Sequence, residues 1–462
     1  MTPKHEYIIV GSGVGGGVVS YNLTQAGADC LLIEAGRYFT KETFPRNEAD
    51  ASAQLYWGGG LEFSQDARMA FLRGKVVGGS TIVNQGLLDR FDEIALDDWR
   101  AESGVDFFTL EAMNPYYDRI EDFLAVHIFE EQECNRNAQL FVKGCETLGY
   151  EWHFLHRAQS DCAFERGNDC IACLGGCHRD SKQSTLITYI RQAEKLGLTV
   201  QAETIVERVE PLGEGFRLYA TSNGQRKEFE CRNLILAGGT FGTNQLMLRS
   251  GFGINLPALG KYFSTHPQFM YFGIYDEEIN AHKGMFQTVA SKDSRFRQRG
   301  FKLENVFAGP VSIALLFNGY GVDHEEFMRD YTRITCAEVA VRDENAGELV
   351  LNKKGKLIIE KLLTDQDRLR MQDGAGVLKE ILAASGAKRV VESPYFFGLH
   401  MMGGCRMGTD PQSSVVNPEF KVHGYKNLYI GDASLFPNAP GINPSLTIFA
   451  LAQRLSDQLV GS

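Results

Sequence analysis

The chain has 462 residues, 44% of them hydrophobic and 23% charged, which is typical of a globular protein with two or three domains. Its formal net charge of -11 disfavours nucleic acid and anionic membrane surfaces as main partners. No apolar run is long enough to span a bilayer, and residues 1–6 lead straight into a predicted strand without an apolar targeting segment. We therefore expect a cytoplasmic protein whose thiols are mostly reduced.

The beginning of the chain has the pattern of a dinucleotide-binding unit. An apolar strand at residues 7–10 precedes the turn GSGVGG at residues 11–16. A helix is predicted for residues 15–25, and a second apolar strand at residues 30–34 ends in Glu34. This β-α-β order predicts a parallel sheet with right-handed crossovers.

Each glycine of the turn has a mechanical role in such a unit. Gly11 permits the tight bend, Gly13 lets the backbone approach a pyrophosphate, and Gly16 lets helix and strand pack closely. Free N–H groups at the helix N-terminus then face the phosphates. Glu34 occupies the place where an acid accepts a hydrogen bond from a ribose hydroxyl.

Later segments return to the same predicted sheet. The predicted strands are 198–202, 204–209, 216–221, 228–231 and 233–239, and the predicted helices are 242–248 and 445–459. Residues 90–160 favour helices, whereas residues 267–395 alternate apolar and polar residues as an antiparallel sheet does.

The predicted fold class is therefore α/β, or α+β overall, with a Rossmann-like domain and an interleaved antiparallel-sheet domain. The discontinuous cofactor domain is predicted to comprise residues 1–89, 190–266 and 396–462. Residues 90–189 and 267–395 are predicted to form the substrate or cap domain.

Six motifs in order resemble those of the glucose–methanol–choline (GMC) oxidoreductase family, FAD enzymes that oxidise alcohols. They lie at residues 11–16, 73–84, 237–246, 259–267, 400–408 and 431–448. The resemblance covers nearly the whole chain and implies a Rossmann-like FAD-binding domain. It also implies a small-molecule alcohol as the substrate, and the aromatic and methionine content suggests an apolar one.

The motifs and the resemblance together give a set of candidate cofactor-binding residues. The set is Gly11, Ser12, Gly13, Gly15, Gly16, Glu34, Gly78, Gly79, Ser80, Asn84, Val206, Gly431, Asp432, Asn443 and Pro444. The resemblance implies that Asn84 lies beside the isoalloxazine, that the backbone of Val206 meets adenine, and that Asp432 lies near the pyrophosphate. Val83 stands where some relatives carry a histidine joined to the flavin, so FAD is expected to bind non-covalently.

His400 and Asn443 are the candidate catalytic residues that the resemblance implies. An imidazole titrates near neutrality, so His400 is predicted to act as general base for the hydroxyl proton while the flavin takes the hydride. Asn443 is predicted to orient the same oxygen. The remaining histidines are interpreted as surface or core residues, including His266, which lies in a family motif.

Four cysteines, Cys162, Cys170, Cys173 and Cys177, fall close together. Their C-x2-C-x3-C core with a nearby thiol is a candidate iron–sulfur ligand set, and zinc or plain structural thiols are the alternatives. A cluster would favour a dehydrogenase over an oxidase. The other six cysteines are interpreted as small buried hydrophobic residues.

The leading functional hypothesis is FAD-dependent oxidation of a CH–OH group, by dehydrogenase or oxidase chemistry. The first alternative is a hydroxynitrile-lyase-like enzyme that keeps its flavin as a structural element. A redox-inactive flavin-binding partner protein is the third hypothesis, and the His400–Asn443 pair argues against it.

Overall fold

The computed structural model describes residues 4–162, 173–285, 287–317, 319–344 and 346–461. The strands are β1 His5–Val10, β2 Cys30–Ile33, β3 Glu62–Phe63, β4 Met69–Phe71, β5 Val126–Ile128, β6 His153–Phe154, β7 His156–Ala158, β8 Thr199–Gln201, β9 Thr204–Leu212, β10 Gly215–Ser222, β11 Gln225–Leu236, β12 Pro267–Ile274, β13 Val289–Ser291, β14 Phe301–Asn305, β15 Ile334–Val341, β16 Glu348–Leu351, β17 Leu357–Glu360, β18 Arg389–Glu392, β19 Phe396–Gly398 and β20 Leu428–Ile430. The α-helices are α1 Val14–Gln25, α2 Glu48–Leu55, α3 Glu93–Ser103, α4 Leu110–Leu124, α5 Arg136–Thr147, α6 Arg191–Lys195, α7 Gly239–Arg249, α8 Ser294–Arg299, α9 Pro310–Leu316, α10 Val322–Arg329, α11 Asp365–Ser385 and α12 Ser445–Val460.

The first sheet contains the dinucleotide-binding unit. Its strand order is β8-β2-β1-β11-β10-β9, and β20 pairs with β11. The pairings among β8, β2, β1, β11 and β20 are parallel, as the β-α-β pattern predicts. Ile8 and Ile9 are fully buried, because α1 and α12 and the rest of the first core cover the sheet. The carboxyl ends of β1, β2, β11 and β20 therefore meet at one edge, where the turn at residues 11–16 lies.

The second sheet faces the first across the site. Its main path runs β3-β4-β19-β12-β15-β14-β13-β6, and β18 pairs with β12. The pairing of β12, β15, β14 and β13 is antiparallel. One face of this sheet packs its apolar side chains, such as Leu303 and Val339, against α11 and α5. The other face contributes Gln268, Glu304 and Glu338 to the wall of the site, beside apolar side chains of a second core cluster.

The fold class is confirmed, and several boundaries differ from those predicted. The predicted strands 228–231 and 233–239 form one strand, β11, because its first half pairs with β10 and its second half with β1. Strands β3, β4 and β19 join the second sheet, although residues 1–89 and 396–462 were assigned to the cofactor domain. Residues of α3 and α4, such as Trp99 and Ile120, belong to the core of the first sheet and not to the cap.

In the described part of the chain, no helix has the length and apolar character that crossing a membrane requires.

Candidate active site

A large cavity of about 1290 Å³ lies between the two sheets. Most of the candidate residues line it: Gly11, Ser12, Gly13, Gly15, Glu34, Gly79, Ser80, Asn84, Val206, Asp432, Asn443, Pro444 and His400. The candidate residues that do not line the cavity are Gly16, Gly78 and Gly431. Gly431 donates its N–H to the carbonyl of Leu236. Residues far apart in the sequence thus meet around one cavity, as the motif order predicts.

The turn before α1 has the shape that a pyrophosphate requires. Gly13 precedes α1 and provides no side-chain cap, so N–H groups of the first turn stay available to a ligand. A Cβ built on Gly13 meets no atom within 4 Å, whereas one on Gly15 would lie 1.7 Å from the carbonyl oxygen of Gly431. Gly13 therefore leaves room for a ligand, and Gly15 allows the backbones to touch. The site fits the diphosphate of FAD.

Glu34 stabilises the turn from inside the protein. One carboxylate oxygen accepts hydrogen bonds from the backbone N–H of Ser12 at 2.9 Å and from its hydroxyl at 2.6 Å. The other oxygen accepts from the N–H of Gly36 at 2.8 Å. Burial raises the pKa of Glu34, while these donors oppose the shift. Its contact with a ribose hydroxyl stays a prediction; the oxygen that accepts from Gly36 has a second lone pair for a further donor.

Asp432 joins β20 to the start of α7. It accepts hydrogen bonds from the N–H of Gly239 at 2.9 Å and from the hydroxyl of Thr243 at 2.5 Å. A third bond comes from the N–H of Ser434 at 2.8 Å. These donors hold the carboxylate in the cavity wall, and burial raises its pKa. A fixed acid at the end of a parallel strand fits the role near the pyrophosphate that the sequence suggests.

The side chain of Lys182 joins two segments of the chain beside the site. Its side chain is buried and donates hydrogen bonds to the carbonyl oxygens of Ile82, Asn84 and Cys173 at 2.5, 2.8 and 2.8 Å. Burial lowers the pKa of Lys182 to about 8. The lysine therefore ties the cysteine-bearing loop to the segment that carries Asn84 into the cavity.

The described residues do not form the metal site that was predicted at the four cysteines. Cys170 lies outside the described residues, while Cys162 and Cys177 are half-buried and Cys173 is buried. The guanidinium of Arg157 lies 3.2 Å from the sulfur of Cys173. Among the described residues, no group of three or more His, Cys, Asp or Glu side chains is arranged to hold a metal ion.

His400 is held by a second histidine. The N–H of Gly441 donates to Nε2 of His266 at 2.8 Å, so the neutral ring of His266 carries its hydrogen on Nδ1. That Nδ1 lies 2.9 Å from Nδ1 of His400 and donates to it. Neutral His400 then carries its own hydrogen on Nε2, the ring nitrogen left for the cavity. His266 was interpreted as structural, and this geometry gives it a tautomer-fixing role.

The surroundings disfavour a charged His400. Burial and the charge of Lys302 lower the pKa of His400 to about 3, although Asp89 opposes the shift. Burial and the neighbouring His400 likewise lower the pKa of His266. Both shifts favour the neutral form of the two rings.

Asn443 is fixed by three charged side chains. Its amide nitrogen donates to Asp89 at 3.0 Å and to Glu304 at 3.2 Å, and its oxygen accepts from Lys302 at 2.9 Å. Both amide hydrogens are thus used within the protein. Burial raises the pKa of Asp89, but Lys292 and Lys302 outweigh burial, and the pKa lies below its ordinary value.

The polar face of the second sheet supplies residues that the sequence analysis did not select. Lys302, Glu304, Glu338 and Gln268 are each at most 3% exposed, and all but Lys302 line the cavity. Apolar–polar alternation marks this face of the strands, but alternation does not distinguish a face toward solvent from a face toward a ligand. The only sequence signal for this part of the site was the presence of charged residues, such as Glu304 and Glu338, on the strands β14 and β15.

Comparison with known proteins agrees with the fold and with the motifs. A family model of GMC oxidoreductases matches residues 52–268 with its N-terminal part and 352–452 with its C-terminal part. The chain belongs to the GMC oxidoreductase family, so the recognition made from the sequence is confirmed.

Individual relatives are distant. An uncharacterised GMC-type oxidoreductase of Mycobacterium tuberculosis is 26% identical over 487 residues, which cover 99% of this chain and 76% of that protein. Long-chain-alcohol oxidase FAO4B of Arabidopsis thaliana is 27% identical, over 99% of this chain and 67% of its own length. The crystal structure of pyridoxine 4-oxidase from Mesorbium loti superposes with a TM-score of 0.76 at 15% identity, covering 99% of this chain and 100% of that one.

Proposed function

We propose that this protein binds FAD and oxidises the CH–OH group of an alcohol, with the carbinol held at His400. The observation that carries the proposal is that His400 and Asn443 line the same cavity as Gly13 and Asp432. A hydroxyl at His400 therefore lies next to the space in which a dinucleotide fits. Bound FAD would supply the acceptor for the hydride.

We propose a hydrogen-bond donor role for His400, in place of the general-base role predicted from the sequence. A base must present a lone pair to the hydroxyl, but the bond from Gly441 to His266 leaves a hydrogen on Nε2 of His400. Reversing both tautomers would break the Gly441 bond and bring two N–H groups together. Nε2–H would instead hold the substrate oxygen and stabilise negative charge that develops on it.

The proposed role of Asn443 is to hold neighbouring charged groups in position. Because its amide hydrogens go to Asp89 and Glu304, it holds two carboxylates and the ammonium of Lys302 at fixed places beside the carbinol. Lys302 is fully buried and bonded to Glu304 at 2.6 Å. Its positive charge favours the polarised substrate oxygen and disfavours an imidazolium at His400.

The walls of the cavity favour an apolar substrate. Apolar side chains contribute to the cavity lining, among them Met270, Val306, Phe307, Leu316 and Phe397. Apolar lining with few polar groups is usual for a small-molecule site and suits an alcohol with a hydrocarbon body. The similarity to a long-chain-alcohol oxidase supports the same substrate class.

FAD should be held without a covalent bond. Val83 lines the cavity, and its isopropyl side chain cannot form a link to the flavin. Acid precipitation of the purified protein should therefore leave the yellow colour in the supernatant. Colour that stays with the pellet would contradict this prediction.

The proposed reaction predicts that an alcohol reduces the flavin. Anaerobic addition of a series of primary and secondary alcohols, from short to long chain, should bleach the absorbance of the oxidised flavin, with apolar members acting fastest. A hydroxynitrile should release cyanide without bleaching if the lyase alternative holds. A flavin that no alcohol bleaches, with or without cyanide release, would overturn the proposed oxidation.

The electron acceptor is a further proposal, since Cys170 lies outside the described residues. Iron and sulfide in anaerobically purified protein would support a dehydrogenase rather than an oxidase. Protein without iron that forms peroxide rapidly would exclude both the cluster and the dehydrogenase. The cytoplasmic location expected from the sequence stays a prediction.

A further inference from the structure

The face of the second sheet that borders the cavity changes from polar to apolar across its strands. Partners in the register share one face of a sheet, so their side chains form rows that cross the strands. One such row consists, from β12 through β19 and β4 to β3, of Gln268, Phe397, Ala70 and Phe63. All four residues line the cavity. The row therefore leads from a polar side chain inside the protein to an apolar one at the edge of the sheet.

The polar end of the row adjoins the residues proposed to hold the carbinol. On the other side of Gln268 the same row reaches Lys302, two strands away. Lys302 donates a hydrogen bond to the oxygen of Asn443 at 2.9 Å, and Asn443 lines the cavity together with His400. Phe397 lies three residues before His400 in the chain. An alcohol with its hydroxyl at His400 therefore lies near the polar end, and Phe397 begins the apolar part of the row.

The outer end of the row is apolar although it lies at a sheet edge. The side chains of Phe63, Leu61 and Tyr395 are 49%, 42% and 44% exposed, and all three line the cavity. Edge strands usually carry charged side chains. Glu62, the other residue of β3, points to the opposite face and is paired with Arg73 at 2.6 Å. An exposed apolar patch that is continuous with a cavity indicates a place for the apolar part of a ligand.

Ala70 leaves space in the middle of the row. Its register partners are Phe397 on one neighbouring strand and Phe63 on the other. The flanking residues Met69 and Phe71 belong to an apolar cluster on the opposite face of the sheet. A larger side chain in place of the Ala70 methyl would fill the space between the two aromatic residues. Ala70 therefore controls how far an apolar ligand can extend along the row.

We propose that the row is a hydrocarbon subsite, in which the chain of an alcohol held at His400 lies over Phe397 and Ala70 and ends at Phe63. The three strand spacings from β12 to β3 span about 14 Å, so the subsite fits an extended hydrocarbon chain rather than a small alcohol. Ala70 and Phe63 are then specificity-determining residues for chain length. The inference rests on the proposed alcohol oxidation and adds the length of the substrate to it.

The expected signature in the parent protein is a gain in affinity with each carbon atom that reaches the row. Burial of one methylene group corresponds to a factor of about three to four in affinity. Affinity should therefore rise by about this factor per carbon and level off once the chain passes Phe63 into solvent. An affinity that does not rise with chain length would overturn the subsite.

The experiment uses 2-methyl-2-alkanols of increasing chain length, which lack a hydrogen on the carbinol carbon and therefore bind without being oxidised. Their dissociation constants for the FAD-loaded protein are measured from the perturbation of the flavin absorbance. Ala70→Leu should leave the shortest member unchanged and weaken the longest about 10-fold or more, the equivalent of about two displaced methylene groups. Phe63→Ser should weaken only the longest members. Because Phe63 is half-exposed, this second variant should fold even if Ala70→Leu does not.

The matched control for Phe63→Ser is Leu369→Ser. Leu369 is 56% exposed on α11 and does not line the cavity, so its replacement should change no dissociation constant. Equal weakening of short and long alcohols in Ala70→Leu, or an unchanged dependence on chain length in both row variants, would overturn the subsite. Flavin bleaching by primary alcohols, measured on the same proteins, tests the oxidation separately. Length-dependent binding without bleaching would overturn the oxidation and support the subsite.

Discussion

Replacing His400 with alanine should lower the rate of flavin reduction by an alcohol about 10²–10³-fold, because one preorganised donor to the substrate oxygen is lost. FAD should remain bound, since the contacts of the dinucleotide turn, Glu34 and Asp432 are untouched. The measurement is stopped-flow bleaching under anaerobic conditions, with the flavin content determined from the absorbance spectrum.

The matched control is His423→Ala. His423 is a half-buried histidine bonded to Ser414 at 2.9 Å and does not line the cavity. Its replacement should leave the rate unchanged. Parental rates in the His400 variant with full FAD content would exclude any role of this side chain in the reaction.

Replacing Gly15 with alanine should destabilise the apoprotein by about 3 kcal/mol, because overpacking of a close backbone contact forces the backbone to move. The new Cβ would lie 1.7 Å from the carbonyl oxygen of Gly431. Helix α1 would be pushed away from β20, which carries Asp432 into the cavity. Urea unfolding of the apoprotein measures the loss.

Gly13→Ala, two residues earlier in the same turn, is the comparison. The added methyl meets no protein atom within 4 Å, so the apoprotein should lose about 1 kcal/mol or less. The methyl would occupy the space of the pyrophosphate, and FAD affinity should fall instead. Equal destabilisation by the two substitutions, or unchanged FAD affinity in Gly13→Ala, would contradict the roles assigned to Gly13 and Gly15 in the dinucleotide turn.

Local patterns predict the first sheet because its elements satisfy strong local constraints. The apolar strand β1, the glycine turn and α1 begin and end within two residues of their predicted bounds. Partner choice is a tertiary property, and the sequence does not reveal it. Strands β3 and β19 therefore join the second sheet unexpectedly, and the long helix α11 appears within a segment predicted as antiparallel sheet.

One part of the candidate site could likewise be predicted from the sequence, and the other part could not. Motifs locate the residues that surround the dinucleotide space, because phosphate binding demands glycines at fixed spacing. The polar face of the second sheet has no motif: Lys302 and Glu304 look like residues of a solvent-exposed strand face. The tautomer of His400 depends on Gly441 and His266, which are far apart in sequence, so only the folded chain reveals it.

The central claim is that a hydride leaves the carbinol carbon of an alcohol held at His400. The most direct test compares anaerobic flavin bleaching by one alcohol with its analogue deuterated at the carbinol carbon. The account predicts that bleaching occurs with both and is several times slower with the deuterated alcohol. No bleaching by either alcohol, or equal rates under conditions where reduction itself is observed, would contradict it.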